Sequence, residues 1–274
     1  MLPETLSILV EGLGKLPQLQ WVRSYPSNTD LDAIKEAGQD SQFDPLRLRA
    51  NMLKGDPQIM CRDLFKGRKH LARVLVISER NQKPIIPWNL FSRIFQAFGQ
   101  CSSGKPWRVI LFAASVPRHF PEPGVKPTHE HLNGGYAYPG NPESVVIYRE
   151  EESHRVLVHE LLHACGSDNM NNSEWKREAL TETWAELFLI AILSNGSKAK
   201  AQMLWETQSQ WIANQETLLT QEHGVLNPDD YAYRYTVGRR DVLKGLGMSL
   251  PPPSPDPRSF LMGSLRFTSP LLSE

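Results

Sequence analysis

The residues best suited to chemistry lie within residues 156–166, Val-Leu-Val-His-Glu-Leu-Leu-His-Ala-Cys-Gly. His159 and His163 are four positions apart, and a helix turning about 100° per residue stacks them on one face. Two imidazoles placed in this way can both ligate one Zn²⁺. Glu160 follows His159 directly, where its carboxylate can reach a metal-bound water without being a ligand itself. Val156, Leu157, Leu161 and Leu162 give the segment an apolar side to bury, and Gly166 is a natural stop.

A catalytic zinc needs three protein ligands and a water. Residues 173–193 read as a long helix in which Glu174, Glu178, Glu182 and Glu186 recur every fourth position. Such a stripe is usually a solvated face. The same helix carries Leu180, Trp184, Leu187 and Ile190, however, and must pack closely on something. Eighteen residues separate His163 from Glu182, enough to end one helix, turn, and run back along a second. Glu182 is then expected opposite the two histidines.

His159-Glu-x-x-His163 followed after eighteen residues by Glu182 resembles the gluzincin metallopeptidases, which include thermolysin-like enzymes and the large zinc aminopeptidases. The resemblance covers about residues 107–193. It implies His159, His163 and Glu182 as Zn²⁺ ligands, Glu160 as general base, and Glu186 as the acid that orients a ligating histidine. Thr181 stands where those families commonly have Asn, and Gly134-Gly-Tyr-Ala-Tyr138 lacks the Glu of the aminopeptidase signature. Aminopeptidase activity is therefore not implied. The run from His159 to Gly166 is also similar to the start of the metzincin signature. Its third-ligand position falls on Asn169, beside Asp168, with Met248 in the place of the methionine turn. On that alternative Asp168 or a loop histidine, His129 or His131, is the third ligand.

A donor to the tetrahedral oxyanion is expected after the glutamate helix. Tyr231, Tyr233, Tyr235 and His223 lie there, and Tyr231 and Tyr235 share a face of an expected helix over residues 229–246. Arg234, Arg239 and Arg240 read as solvated surface charges, with binding of a substrate carboxylate as the alternative. Cys165 reads as a packing residue. The Gly-rich stretch at 134–138, or the strand after it, could bind an extended peptide by strand addition.

The supporting elements follow from hydrophobic pattern and turn chemistry. Residues 70–78, 107–114 and 144–148 have the apolar, β-branched character of buried strands. Residues 88–98 read as a helix opened by Pro87 and closed by Gly99. Helices are expected over residues 153–165 and 198–220, and an amphipathic helix followed by a strand at 19–22 over the first 24 residues. Residues 25–68 are mixed, with short helices at 30–37 and 45–53. The fold class expected is α+β and zincin-like, a small mixed sheet with the HExxH helix beneath it and a helical C-terminal lobe. Residues 1–68 form an N-terminal extension, 69–248 the metallopeptidase domain and 249–274 a Pro-rich tail whose apolar end needs a surface in cis or on a partner.

With 274 residues the chain can bury a substantial core. Thirty basic residues balance thirty acidic ones, so neither nucleic acid nor an anionic membrane is expected as a partner. Three scattered cysteines fit a reducing compartment rather than a disulfide framework. The first residues do not read as a signal peptide and no run reaches a membrane span, so a cytoplasmic location is expected. The reading is a zinc-dependent metallopeptidase acting on a peptide or protein. Its alternative is a zincin-fold module serving as a structural component of an assembly, with the tail as its docking arm.

Overall fold

The computed structural model describes residues 2–101 and 104–272. Met1, Ser102, Ser103, Ser273 and Glu274, the last two from the expected tail, lie outside the described residues. In chain order the elements begin with helix α1 (Glu4–Leu13), strand β1 (Trp21–Ser24), helices α2 (Asn28–Ala37) and α3 (Leu48–Lys54), and strands β2 (Gln58–Lys66) and β3 (Lys69–Ser78). Next come α4 (Trp88–Phe98), β4 (Trp107–Ala114), α5 (His129–Leu132), β5 (Gly135–Tyr136), β6 (Val145–Arg149) and α6 (Ser153–Ala164). The remainder is helical: α7 (Glu174–Ser194), α8 (Lys198–Gln221), a 3₁₀ turn (Tyr231–Tyr235), α9 (Arg239–Gly245), α10 (Pro257–Leu261) and a 3₁₀ turn (Pro270–Leu272). The molecule is thus mixed α and β, and among the described residues no helix is long and apolar enough to cross a membrane.

The chain forms two compact units. The sheet unit comprises residues 16–117 and 133–167, and the helical unit residues 2–15, 118–132 and 168–272. In the sheet unit the strand order is β1-β2-β3-β4-β6-β5. The central strands β3, β4 and β6 are parallel, and β1, β2 and β5 join antiparallel at the two sides. Parallel strands buried on both faces account for the apolar runs at residues 74–77 of β3 and 109–114 of β4. On one face Cys61, Leu75, Ile77, Ile110, Phe112, Val146 and Tyr148 pack with Ile34 of α2 and Leu48 and Met52 of α3. On the other, α4 and α6 pack on β3 and β6. Each fully buried aliphatic side chain contributes roughly 1.5–3 kcal/mol.

β2 is an element that the mixed character of residues 25–68 did not reveal. Arg62 and Asp63 interrupt its apolar pattern, and the strand is made possible by partners elsewhere. Asp63 accepts from Arg73 at 2.9 Å and lies 3.0 Å from His70 Nε2, both on β3. The β2–β3 hairpin closes through Gly67-Arg68, and Gly67 takes the positive φ (61°) that the tight turn requires. β1 lies two residues later than expected. The helix expected over 229–246 is broken instead, into the 3₁₀ turn Tyr231–Tyr235 and α9. Thr236, Val237 and Gly238 at the break are weak helix formers. A Cβ at Gly238 would lie only 3.2 Å from Ala179 Cβ, so the break lets this segment approach α7 closely.

In the helical unit α1 packs on α7 and α8. The C-terminal segment lies on α8 in cis. Leu261, Leu265, Phe267 and Leu272 are buried, and buried polar side chains of α8 bind its main chain. Trp211 Nε1 and Gln215 Nε2 donate to Arg266 O (2.9 and 2.8 Å), Gln208 Nε2 donates to Phe267 O (2.9 Å), and Asn214 Oδ1 accepts from Ser254 N (2.7 Å).

Candidate metal centre

α6 opens after Glu152, which takes a left-handed conformation (φ 56°), and stops before Gly166. Leu157, Val158 and Leu161 are completely buried and fix the rotation of the helix. His159 and Glu160 are buried too, and His163 is half-buried. The two imidazoles meet with Nε2 atoms 3.0 Å apart and ring planes 76° from one another. A tetrahedral zinc with ordinary Zn–N bonds holds two nitrogens about 3.3 Å apart. His159 and His163 therefore fit as two ligands of one metal ion.

β5 passes close beside Glu160. A Cβ placed on Gly135 would sit 2.9 Å from Glu160 Oε1, 2.7 Å from Val146 O and 2.8 Å from Val156 Cγ1. Only glycine lets β5 pair with β6 and pass this close to the carboxylate. In the sequence alone the Gly-rich stretch reads as an edge for an extended peptide. The contact with Glu160 joins residues 25 positions apart and has no local signal. On the opposite face of the sheet Tyr136 and Tyr148 hold the Arg49 guanidinium, 5.5 and 4.5 Å from their ring centres. Arg49 is anchored by Asp44 Oδ2 (3.0 Å) and Ala37 O (2.6 Å). Burial pushes the Tyr148 hydroxyl far above its ordinary pKa, against the pull of Arg49 and with a further push from Glu160.

In the helical unit the four glutamates of α7 have different surroundings. Glu174 pairs with Arg234, which also lies 5.1 Å from the centre of the Tyr231 ring. Glu186 is buried in an ion pair with Arg239 and accepts from Gln208 Nε2 at 3.1 Å. Arg239 donates onward to Gln215 Oε1 at 2.6 Å. Glu178 is half-buried and Glu182 buried. Arg239 is a buried charge and not the solvated surface charge that the sequence suggests. Arg239 is 1% exposed, because it neutralises a glutamate 53 positions away, a partner no local pattern announces. Arg240 is exposed, as the surface reading expects, and pairs with Glu216 at 2.6 Å.

Tyr231 and Tyr235 lie together, the Tyr231 hydroxyl donating to that of Tyr235 at 3.3 Å. Burial, and then the nearby Glu178 carboxylate, push the Tyr235 pKa well above its ordinary value, so it remains a protonated donor. His129 lies against Tyr231 with ring centres 3.9 Å apart and planes tilted by 35°, and burial followed by the Arg234 charge lowers its pKa. His131 Nδ1 accepts from Thr128 N at 3.1 Å. His223 lies 2.8 Å from Val125 O and stacks on Phe120, while Tyr233 meets the edge of Trp175. Asp168 is half-buried in the loop after α6, and Met248 is buried, its N–H closing the end of α9 on Leu243 O. Cys165 is exposed rather than packed in the core, since α6 has ended at Ala164 and its thiol donates to Leu162 O.

No protein-family model, curated protein or solved structure matches the chain.

Proposed function

We propose that the chain is a zinc-dependent metallopeptidase with a zincin-like, gluzincin-type fold, in which His159, His163 and a carboxylate of α7 hold Zn²⁺ and Glu160 is the general base. The observation that supports this most directly is the approach of His159 Nε2 and His163 Nε2 to 3.0 Å on a helix whose Glu160 is buried against Gly135. Two converging imidazoles supply two of the three protein ligands of a hydrolytic zinc, and the adjacent Glu160 suits a general base. Glu182 is the proposed third ligand, on its spacing from His163. Glu178, one turn earlier, is the alternative, because Glu174 and Glu186 each already hold an arginine.

Zinc, when bound, supplies a Lewis acid that polarises a scissile carbonyl and lowers the pKa of water. Glu160 takes the proton of the attacking water and returns it to the leaving amine. The missing side chain at Gly135 leaves room for the carboxylate where it stands. Tyr231 and Tyr235 are the proposed oxyanion donors, and the protonated Tyr235 hydroxyl suits that role. The substrate is a peptide or protein.

Metal analysis by mass spectrometry, together with hydrolysis of a peptide library, tests the proposal. The wild type is expected to hold one equivalent of zinc, Glu160→Gln to keep it, and His163→Ala and Glu182→Ala to lose it. Hydrolysis should fall at least a hundredfold in Glu160→Gln. Zinc retained in Glu182→Ala but lost in Glu178→Ala moves the third ligand by one turn. A wild-type protein that takes up no metal after reconstitution refutes the proposal.

A further inference from the structure

A second set of polar residues lies on the sheet unit, on the strands β1 and β2. Arg23 and Arg62 stand directly opposite one another in this antiparallel pair, so their side chains leave the same face of the sheet. Like charges in that position destabilise a sheet unless something compensates them. Their strand neighbours on the same face are Trp21, Met60, Leu64 and Val74, none of them acidic. Among the described residues no carboxylate pairs with either guanidinium. The other face of the same strands is balanced by contrast, for there Asp63 and Asp30 share Arg73.

Arg62 is also held in place. The Arg62 guanidinium lies 4.4 Å from the centre of the Trp88 ring. Trp88 is itself fixed by Trp21, whose Nε1 donates to Trp88 O at 2.8 Å and whose ring lies 5.0 Å away. Arg62 Nε is buried without a hydrogen-bond partner among the described residues. Burial, and then the Arg23 charge, push the Arg62 guanidinium below its ordinary pKa, as expected where a counter-ion belongs. Stacking on an aromatic ring covers the flat face of a guanidinium and leaves its donor edge free for an anion.

We infer that Arg23 and Arg62 form a binding site for a phosphate group, either inorganic phosphate or the phosphomonoester of a small molecule. A phosphate dianion matches two guanidiniums in charge, and its tetrahedral oxygens can accept from donors approaching at different angles. A planar, singly charged carboxylate satisfies one guanidinium edge and leaves the second charge unmatched. The site is independent of the metal-centre proposal, because none of its residues belongs to that centre.

Calorimetric titration at constant ionic strength tests the inference, with inorganic phosphate, phenyl phosphate and acetate as probes. Saturable binding of a phosphate probe is expected, with acetate much weaker. Arg23→Gln and Arg62→Gln should each weaken it about tenfold or more. Tighter binding of phenyl phosphate would identify an organic phosphomonoester as the ligand, and equal binding free phosphate. A thermal reading separates this from a merely structural role. Without phosphate, Arg23→Gln should melt no lower than wild type because it relieves repulsion, and a given phosphate concentration should raise the melting temperature of wild type more than that of the variant. No phosphate binding by wild type, equal binding by acetate, or undiminished binding by Arg23→Gln would overturn the inference. Arg23 is exposed, so the last variant decides the matter even if Arg62→Gln does not fold.

Discussion

At the scale of single residues, Gly135 shows how an absent side chain can determine the position of a present one. The space that a Cβ would need is filled by Glu160 Oε1, Val146 O and Val156 Cγ1, all closer than 3 Å. Two of these neighbours cannot withdraw cheaply, since Val146 O is backbone and Val156 is buried in α6. Gly135→Ala must therefore push β5 away or turn the carboxylate. We expect a loss of about 1–3 kcal/mol in denaturant unfolding. Zinc content should stay at the wild-type level, because neither histidine touches position 135 in these contacts, while any hydrolytic activity falls with the displaced Glu160. A variant of unchanged stability and activity would show that the close approach constrains nothing.

At the scale of elements, local chemistry explains both what the sequence reveals and what it conceals. The HExxH helix, its stop at Gly166, the buried strands β3 and β4 and the Pro87–Gly99 bounds of α4 carry their signals within a few residues of themselves. β2 does not, because its charged middle is acceptable only once Arg73 and His70 of β3 are alongside. The proposed metal centre divides in the same way. His159 and His163 are legible from spacing, whereas the environments of Glu174 and Glu186 are set by arginines 60 and 53 positions away. The start of α2 illustrates the local case and yields a pH dependence. Ser27 and Asp30 cap each other's backbone, and Asp30 also accepts from Arg73 Nη2 at 2.8 Å. Burial raises the Asp30 pKa, but the hydrogen bonds from Arg73 and Ser27 outweigh it and leave the group below its ordinary value. A carboxyl whose pKa is depressed by folding stabilises the protein above its unfolded pKa of about 3.9 and loses that contribution as the pH falls through the folded value. Asp30→Asn should thus melt below wild type at neutral pH, and the two melting curves should converge in acid. A constant difference down to pH 2 would exclude this titration as the cause.

At the scale of the whole molecule, neither unit is a continuous stretch of chain. The helical unit draws on the beginning, a short middle segment and the end, and its final segment contributes four buried apolar side chains, Leu261, Leu265, Phe267 and Leu272. At roughly 1.5–3 kcal/mol each, these four amount to about the whole stability of an ordinary domain. Deleting residues 249–274 should consequently unfold the helical unit. Hydrogen exchange would show lost protection in α7 and α8 with β3 and β4 still protected. Wild-type protection of α7 in the truncated chain would mean that the segment is only a covering. The placement of α1 has a consequence for biosynthesis. Leu6 and Val10 are buried only where α1 packs on α7 and α8, and these helices begin at Glu174 and Lys198. At the roughly 5–20 residues per second of translation, an early apolar helix waits on the order of ten seconds or more for its partners to be made. During that interval it is a nascent-chain segment in need of shelter, so the yield of folded protein in a cell should depend on holdase chaperones acting at the ribosome exit.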